Sequence, residues 1–111
     1  MPLNNPGVSG PSIVTSNYTG NASDAIRQIT TGFKCSLVIV GSGSNPALED
    51  VGIVFGSTIA IHFRTPDNTL QLTTGDNFLV LHATDGFNVG GDVNNRLNES
   101  GKFYWYWAIS E

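Results

Sequence analysis

Two histidines, His62 and His82, and a single cysteine, Cys35, are the side chains of this 111-residue chain best suited to move a proton, attack a carbonyl or bind a soft metal near neutral pH. Their spacing argues against all three chemistries. Zinc sites draw on cysteines and histidines in closely spaced pairs, and neither histidine has such a neighbour. Cys35 has no histidine or lysine placed to lower its thiol pKa beyond the adjacent Lys34, and no nucleophile signature surrounds it. A pairing with either histidine would have to come from the fold. Cys35 therefore reads as a small, half-buried residue, and as the sole cysteine it can form no internal disulfide. The histidines read as hydrogen-bonded strand residues. Asp24, Asp50, Asp67, Asp76, Asp85 and Asp92 fall among turn residues, where a carboxylate caps nearby backbone amides. The segment DNTLQLTTGDN lacks the oxygen spacing of a calcium loop, and GSGSNP lacks the lysine and helix of a phosphate loop. No cofactor, no metal and no catalytic activity are expected.

The elements that would carry these residues are strands. Charged residues make up only 13% of the chain, and short apolar runs alternate with clusters of Gly, Asn, Ser and Pro. SIVTSNY (12–18), IRQITT (26–31), SLVIVG (36–41), VGIVFG (51–56), STIAIHFR (57–64), LQLTT (70–74) and FLVLHA (78–83) are the candidates. A short strand follows DGF, and an aromatic strand closes the chain. SLVIVG is apolar at successive positions, which suits a central strand covered on both faces. LQLTT and FLVLHA are expected to pair as a hairpin across 75–77. TPDN (65–68) has the form of a type I turn, and NPALEDVG has room for one helical turn at most. In FYWYWAI the alternation puts Phe103, Trp105, Trp107 and Ile109 on one face and Tyr104, Tyr106 and Ala108 on the other. The first set is the more apolar and is expected to fill the core, with the tyrosine hydroxyls wet. Roughly seven to nine short strands predict an all-β fold, a single antiparallel β-sandwich of jelly-roll-like type over 13–111.

Residues 1–12 stand apart. Pro2, Pro6 and Pro11 remove donors, and Gly7 and Gly10 loosen the backbone, so an extended N-terminal arm is expected. Leu3 and Val8 are too few to hold it, and a neighbouring subunit or larger assembly is the expected anchor. Its contact residues would be Leu3, Asn4, Asn5, Pro6, Val8 and Pro11. A net charge of −4 gives no basic patch for nucleic acid. No run approaches a membrane span and the start has no signal-peptide pattern, so synthesis in the cytoplasm is expected. On that expectation the triplets NYT (17–19), NAS (21–23) and NES (98–100) are chance matches to the glycosylation pattern.

Two stretches resemble a known module. NYTGNASDAIRQITTGFKCSLVIV (17–40) is similar to the opening of a small β-sandwich module of tailed-bacteriophage virion surface proteins. There a Tyr-Thr-Gly-Asn-Gly turn leads to an Arg-x-Ile strand, then a Gly-Phe-x-Pro step into a Val/Ile-rich strand. DGFNVGG with VNNRLNESGKFYWYWAI resembles its end, an Asp-Gly-Phe turn, an Asn-rich turn and an aromatic strand. Residues 41–84 match only in pattern, Cys35 stands where the family has proline, and Ala22 where it has glycine. The resemblance implies a structural protein of the virion, of tail-fibre or head-decoration type. A lone module behind an arm suits a decoration (cement) protein on the capsid surface. Its partners would be the major capsid protein and further copies of itself, as a dimer or trimer. The alternative is a receptor-binding tip of a tail fibre, contacting host-surface glycan through loops 41–50 or 65–69. A small hydrolase or lectin-like accessory is the third and weakest reading.

Overall fold

The computed structural model describes residues 11–22, 25–44, 47–56, 59–64, 69–74, 79–90 and 97–111; side chains of 43–50, 59 and 62–74 are outside the description. The strands are β1 (Ile13–Thr19), β2 (Ile26–Ile29), β3 (Cys35–Ser44), β4 (Ala47–Phe55), β5 (Ile59–Arg64), β6 (Thr69–Thr74), β7 (Leu79–Leu81), β8 (Phe87–Gly90) and β9 (Phe103–Ser110). They form a six-stranded sheet in the order β1-β9-β3-β4-β5-β6 and a three-stranded sheet in the order β2-β8-β7. All strand pairs are antiparallel. The two sheets pack together, as the all-β sandwich reading expects.

One face of the large sheet and the small sheet share a single core. Across the strands, Val14, Ala108, Val38, Val54 and Ala60 make one row, and Tyr18, Tyr104 and Ser42 another. Val38, Val54 and Ala108 are fully buried, as are Phe87, Leu79 and Val89 of the small sheet. Phe87 meets Tyr106 edge to face, with ring centroids 5.0 Å apart, and stands 6.3 Å from Tyr18. The small sheet is thus the lid of this core, and its aliphatic and aromatic side chains fill what the large sheet leaves open.

The lid is tied down by turn chemistry. Gly86 has φ of 76°, which only glycine adopts without strain, and a Cβ there would come within 1.9 Å of the Ile29 carbonyl oxygen. Its amide donates to the Phe33 carbonyl at 2.9 Å. The Asp85 carboxylate accepts from the amides of Thr31 and Gly32, at 3.0 and 2.8 Å. These bonds hold its carboxyl below the ordinary aspartate value. At the other end, Asn98 is buried and bonded through both its side-chain oxygen and its nitrogen. Its oxygen accepts from the Asn21 amide and from Arg27 Nη1, and its NH2 donates to Asn21 Oδ1 at 2.8 Å.

Several expectations change. Ala47–Asp50 extends β4 and leaves no helical turn, which puts Asp50 in a strand rather than a turn. LQLTT and FLVLHA do not form a hairpin: β6 pairs β5 in the large sheet, while β7 pairs β8 in the small one. Chain proximity lost to burial here, because Leu79 fills the lid side of the core. The loop expected at 41–50 is mostly strand, since β3 runs to Ser44 and β4 starts at Ala47. TPDN at 65–68 and residues 1–10 of the arm lie outside the described residues. Ser12 is bound to the closing strand, its amide donating to Ser110 Oγ at 2.8 Å and its carbonyl accepting from the Ser110 amide at 2.9 Å.

Candidate functional site

The closing strand is inverted relative to the hydrophobic expectation. Tyr104 is fully buried and Tyr106 nearly so, whereas Phe103 is 41%, Trp105 47% and Trp107 58% exposed. Tyr18 and Tyr104 are inside with both the ring and the hydroxyl served there, and Tyr106 with its ring packed on Phe87. Tyr18 and Tyr104 stack at 5.0 Å, and Arg27 sits over the Tyr18 ring. The Tyr18 hydroxyl donates to the Leu97 carbonyl at 2.7 Å, and the Tyr104 hydroxyl accepts from the Glu99 amide at 3.0 Å. Burial pushes the Tyr18 phenol well above its ordinary pKa, so it remains a donor. A tryptophan offers only an N–H and could not accept the Glu99 bond.

Register then fixes what lies opposite. Ile13, Ile109, Leu37 and Phe55 form one row across β1, β9, β3 and β4. Thr15, Trp107, Ile39, Ile53 and Ile61 form the next, continuing onto β5. Asn17, Trp105, Gly41 and Val51 form a third. None of these side chains is ionisable. Ile13 and Phe55 are more than half exposed, and Phe103 meets Trp105 edge to face at 5.0 Å. Gly41 has no side chain, so the surface dips between Trp105 and Val51. An open groove of about 630 Å³ lies there, also lined by Ile39, Trp107, Thr15 and Asn17. Isolated exposed apolar residues are ordinary, but a contiguous face of them marks an interaction surface. β3 is therefore central and, among the described residues, covered on one face only, where two covers were expected.

The residues with chemical potential do not assemble. Cys35 and His82 line one shallow depression beside Lys34 and Glu111. The thiol, buried more deeply than expected, faces Thr31 Oγ1 at 3.4 Å and the Phe33 carbonyl. His82 lies just past β7 rather than within a strand, and its Nδ1 accepts from the amides of Thr84 and Asp85 at 3.1 and 3.2 Å. Both groups serve the turn that ties the lid. His62 lies within β5, a strand position as expected, and only its side chain is outside the description; Asp24, Asp67, Asp76 and Asp92 lie outside the described residues. Among the described residues no three His, Cys, Asp or Glu side chains gather as metal ligands, and no helix is long and apolar enough to cross a membrane. Of the proposed arm contacts, only Pro11 is among the described residues, and it is exposed.

Comparison with family models, with curated proteins and with solved structures gives no match to this chain. The outer face was missed by alternation reasoning. Its signal was nevertheless present, because FYWYWAI and SLVIVG are apolar at both parities and call for a cover on each side.

Proposed function

We propose that the chain is a non-enzymatic structural protein of a tailed-phage virion, a decoration protein that binds the assembled head and stabilises it. The observation that carries an assembly role is the set of three outer rows across β1, β9, β3 and β4, in which no side chain is charged and most are apolar. A chain acting alone would not leave Trp105, Trp107, Phe55 and Ile13 in water when an adjacent strand face holds tyrosines. The motifs of 17–40 and 85–109 supply the virion part of the reading. Their residues have structural duties of the kind the resemblance implies: Gly20 leaves no room for a Cβ against the Glu99 carbonyl, and Gly86 none against Ile29. Residues 1–12 would grip the capsid, with Leu3, Asn4, Asn5, Pro6, Val8 and Pro11 in contact.

The test compares particles with and without the protein. A cement protein binds only the assembled shell and so stabilises it by linkage. Stripped particles should release their genome at a lower temperature while adsorbing to host cells normally. Unchanged heat release with failed adsorption would instead identify a fibre tip. Deleting residues 1–11 should abolish attachment while the circular dichroism spectrum stays that of the folded sandwich. Attachment of the full chain should survive about 1 M salt, where charges are screened within about 3 Å.

A further inference from the structure

We propose that the outer face of the large sheet is the seat of a second copy of this chain, the two sheets meeting face to face about a two-fold axis. Size is the first argument. Four inter-strand gaps from β1 to β5, at about 4.8 Å each, and strand lengths from Ile109 to Phe103, at about 3.3 Å per residue, give with side-chain margins roughly 600 Å². Two such faces bury about 1,200 Å², the lower edge of the range for stable specific interfaces. Sheets in sandwiches pack in this manner about 10 Å apart, with side chains of the two inner faces interdigitating.

Charge is the second argument. Each molecule carries −4, yet none of the side chains in the three outer rows is ionisable, so two copies can meet without burying like charges. A basic or acidic partner would find no charge in these three rows to recognise. Relief is the third argument. A two-fold contact must be self-complementary, each ridge meeting the other copy's trough. The face holds both in adjacent strands, the Trp105–Trp107 ridge of β9 and the groove over Gly41 of β3. The chain's own first ten residues make a poor cover, for only Met1, Leu3 and Val8 among them have large non-proline apolar side chains.

The chain's two tryptophans, Trp105 and Trp107, both lie on this face, so its fluorescence reports on the contact without any substitution. Purified full-length protein is followed by sedimentation velocity from low to high micromolar concentration, with acrylamide quenching of tryptophan in parallel. A dimer is expected, with emission shifting to the blue and quenching falling as it forms. Trp107→Glu and Trp105→Glu should each weaken association by about thirtyfold or more, as loss of a central aromatic anchor does. Thr30→Glu, on an exposed residue just past β2 of the small sheet, should leave it unchanged. The proposal is overturned by a monomer with freely quenched tryptophans at every concentration, by an oligomer whose tryptophans stay quenchable, or by a trimer. It is also overturned if dimers appear only after residues 1–10 are removed, which would show that the chain's own arm occupies the face. The inference names the partner within the assembly reading above. Because particles are not used, its failure leaves the capsid reading standing, and loss of the capsid reading leaves the dimer intact.

Discussion

On the inner face of the large sheet, Tyr18, Tyr104 and Tyr106 lie beneath Phe87 and the rest of the lid; one residue along the same strand, Trp105 and Trp107 stand in solvent. A ranking by hydrophobicity would exchange the two sets. The difference teaches that the core was chosen by hydrogen-bond supply as well as by apolar area. Leu97 and Glu99 present a backbone acceptor and a donor at the rim of the sandwich, and a phenol can meet either. An unmet backbone group at that depth costs about 1–3 kcal/mol, comparable to what a larger ring would gain. The tryptophans, which could donate to Leu97 but could not accept from Glu99, face outward and stand partly in solvent.

The sharpest way to break this comparison is Tyr104→Ala. It removes a fully buried ring, its stack on Tyr18 and the acceptor for the Glu99 amide, and should destabilise by about 3–5 kcal/mol in chemical denaturation. A cost under about 1 kcal/mol would show that the inner face is not the core. A smaller effect of opposite sign is expected at Ala22, whose φ is 57°, a left-handed conformation that costs an L-residue about 1–2 kcal/mol. Ala22→Gly should raise stability by about 1 kcal/mol, part of the relief being lost to the added freedom of glycine in the unfolded chain. Smaller again is Trp107→Ala measured on dissociated protein, where a surface substitution should stay within about 0.5 kcal/mol. If it rivals Tyr104→Ala, the outer face is packed within a single chain.

The last test lifts the lid with acid. Asp85 has its carboxyl pKa lowered by the amides of Thr31 and Gly32, so folding gains from its charge above the unfolded value, about 3.9. That gain disappears as pH falls through the lower folded value. Asp85→Asn should therefore be less stable than the native chain at neutral pH, and the gap should close below about pH 4. A gap independent of pH would mean that the carboxylate charge plays no part in holding the lid.

The strands were largely legible, because β-branched runs between Gly and Asn clusters leave few other options. Sidedness was not. In FYWYWAI both parities are apolar, so the alternation marks two faces without saying which receives the lid. That is settled by Phe87, Leu79 and Ile29, three residues far from β9 in the chain. The hairpin expected between LQLTT and FLVLHA failed for the same reason: sequence nearness says nothing of a chain that changes sheets. Ala22 is instructive in another way, since alanine as a residue type gives no sign of the positive φ it adopts. The outer face could have been found by asking what covers the second side of β3 and β9.

The pairing of Ser12 with Ser110 at the head of the β1–β9 ladder has a mechanical consequence. Ile13 lies opposite Ile109 and Thr19 opposite Phe103, so the strand that enters the fold and the strand that leaves it do so at the same edge. A load applied between Ser12 and Ser110 would open the rungs singly, like a zipper, and never strain the ladder as a whole. Such a domain yields under tension applied through both of these points. It resists when force arrives broadside, spread over every strand of the large sheet at once.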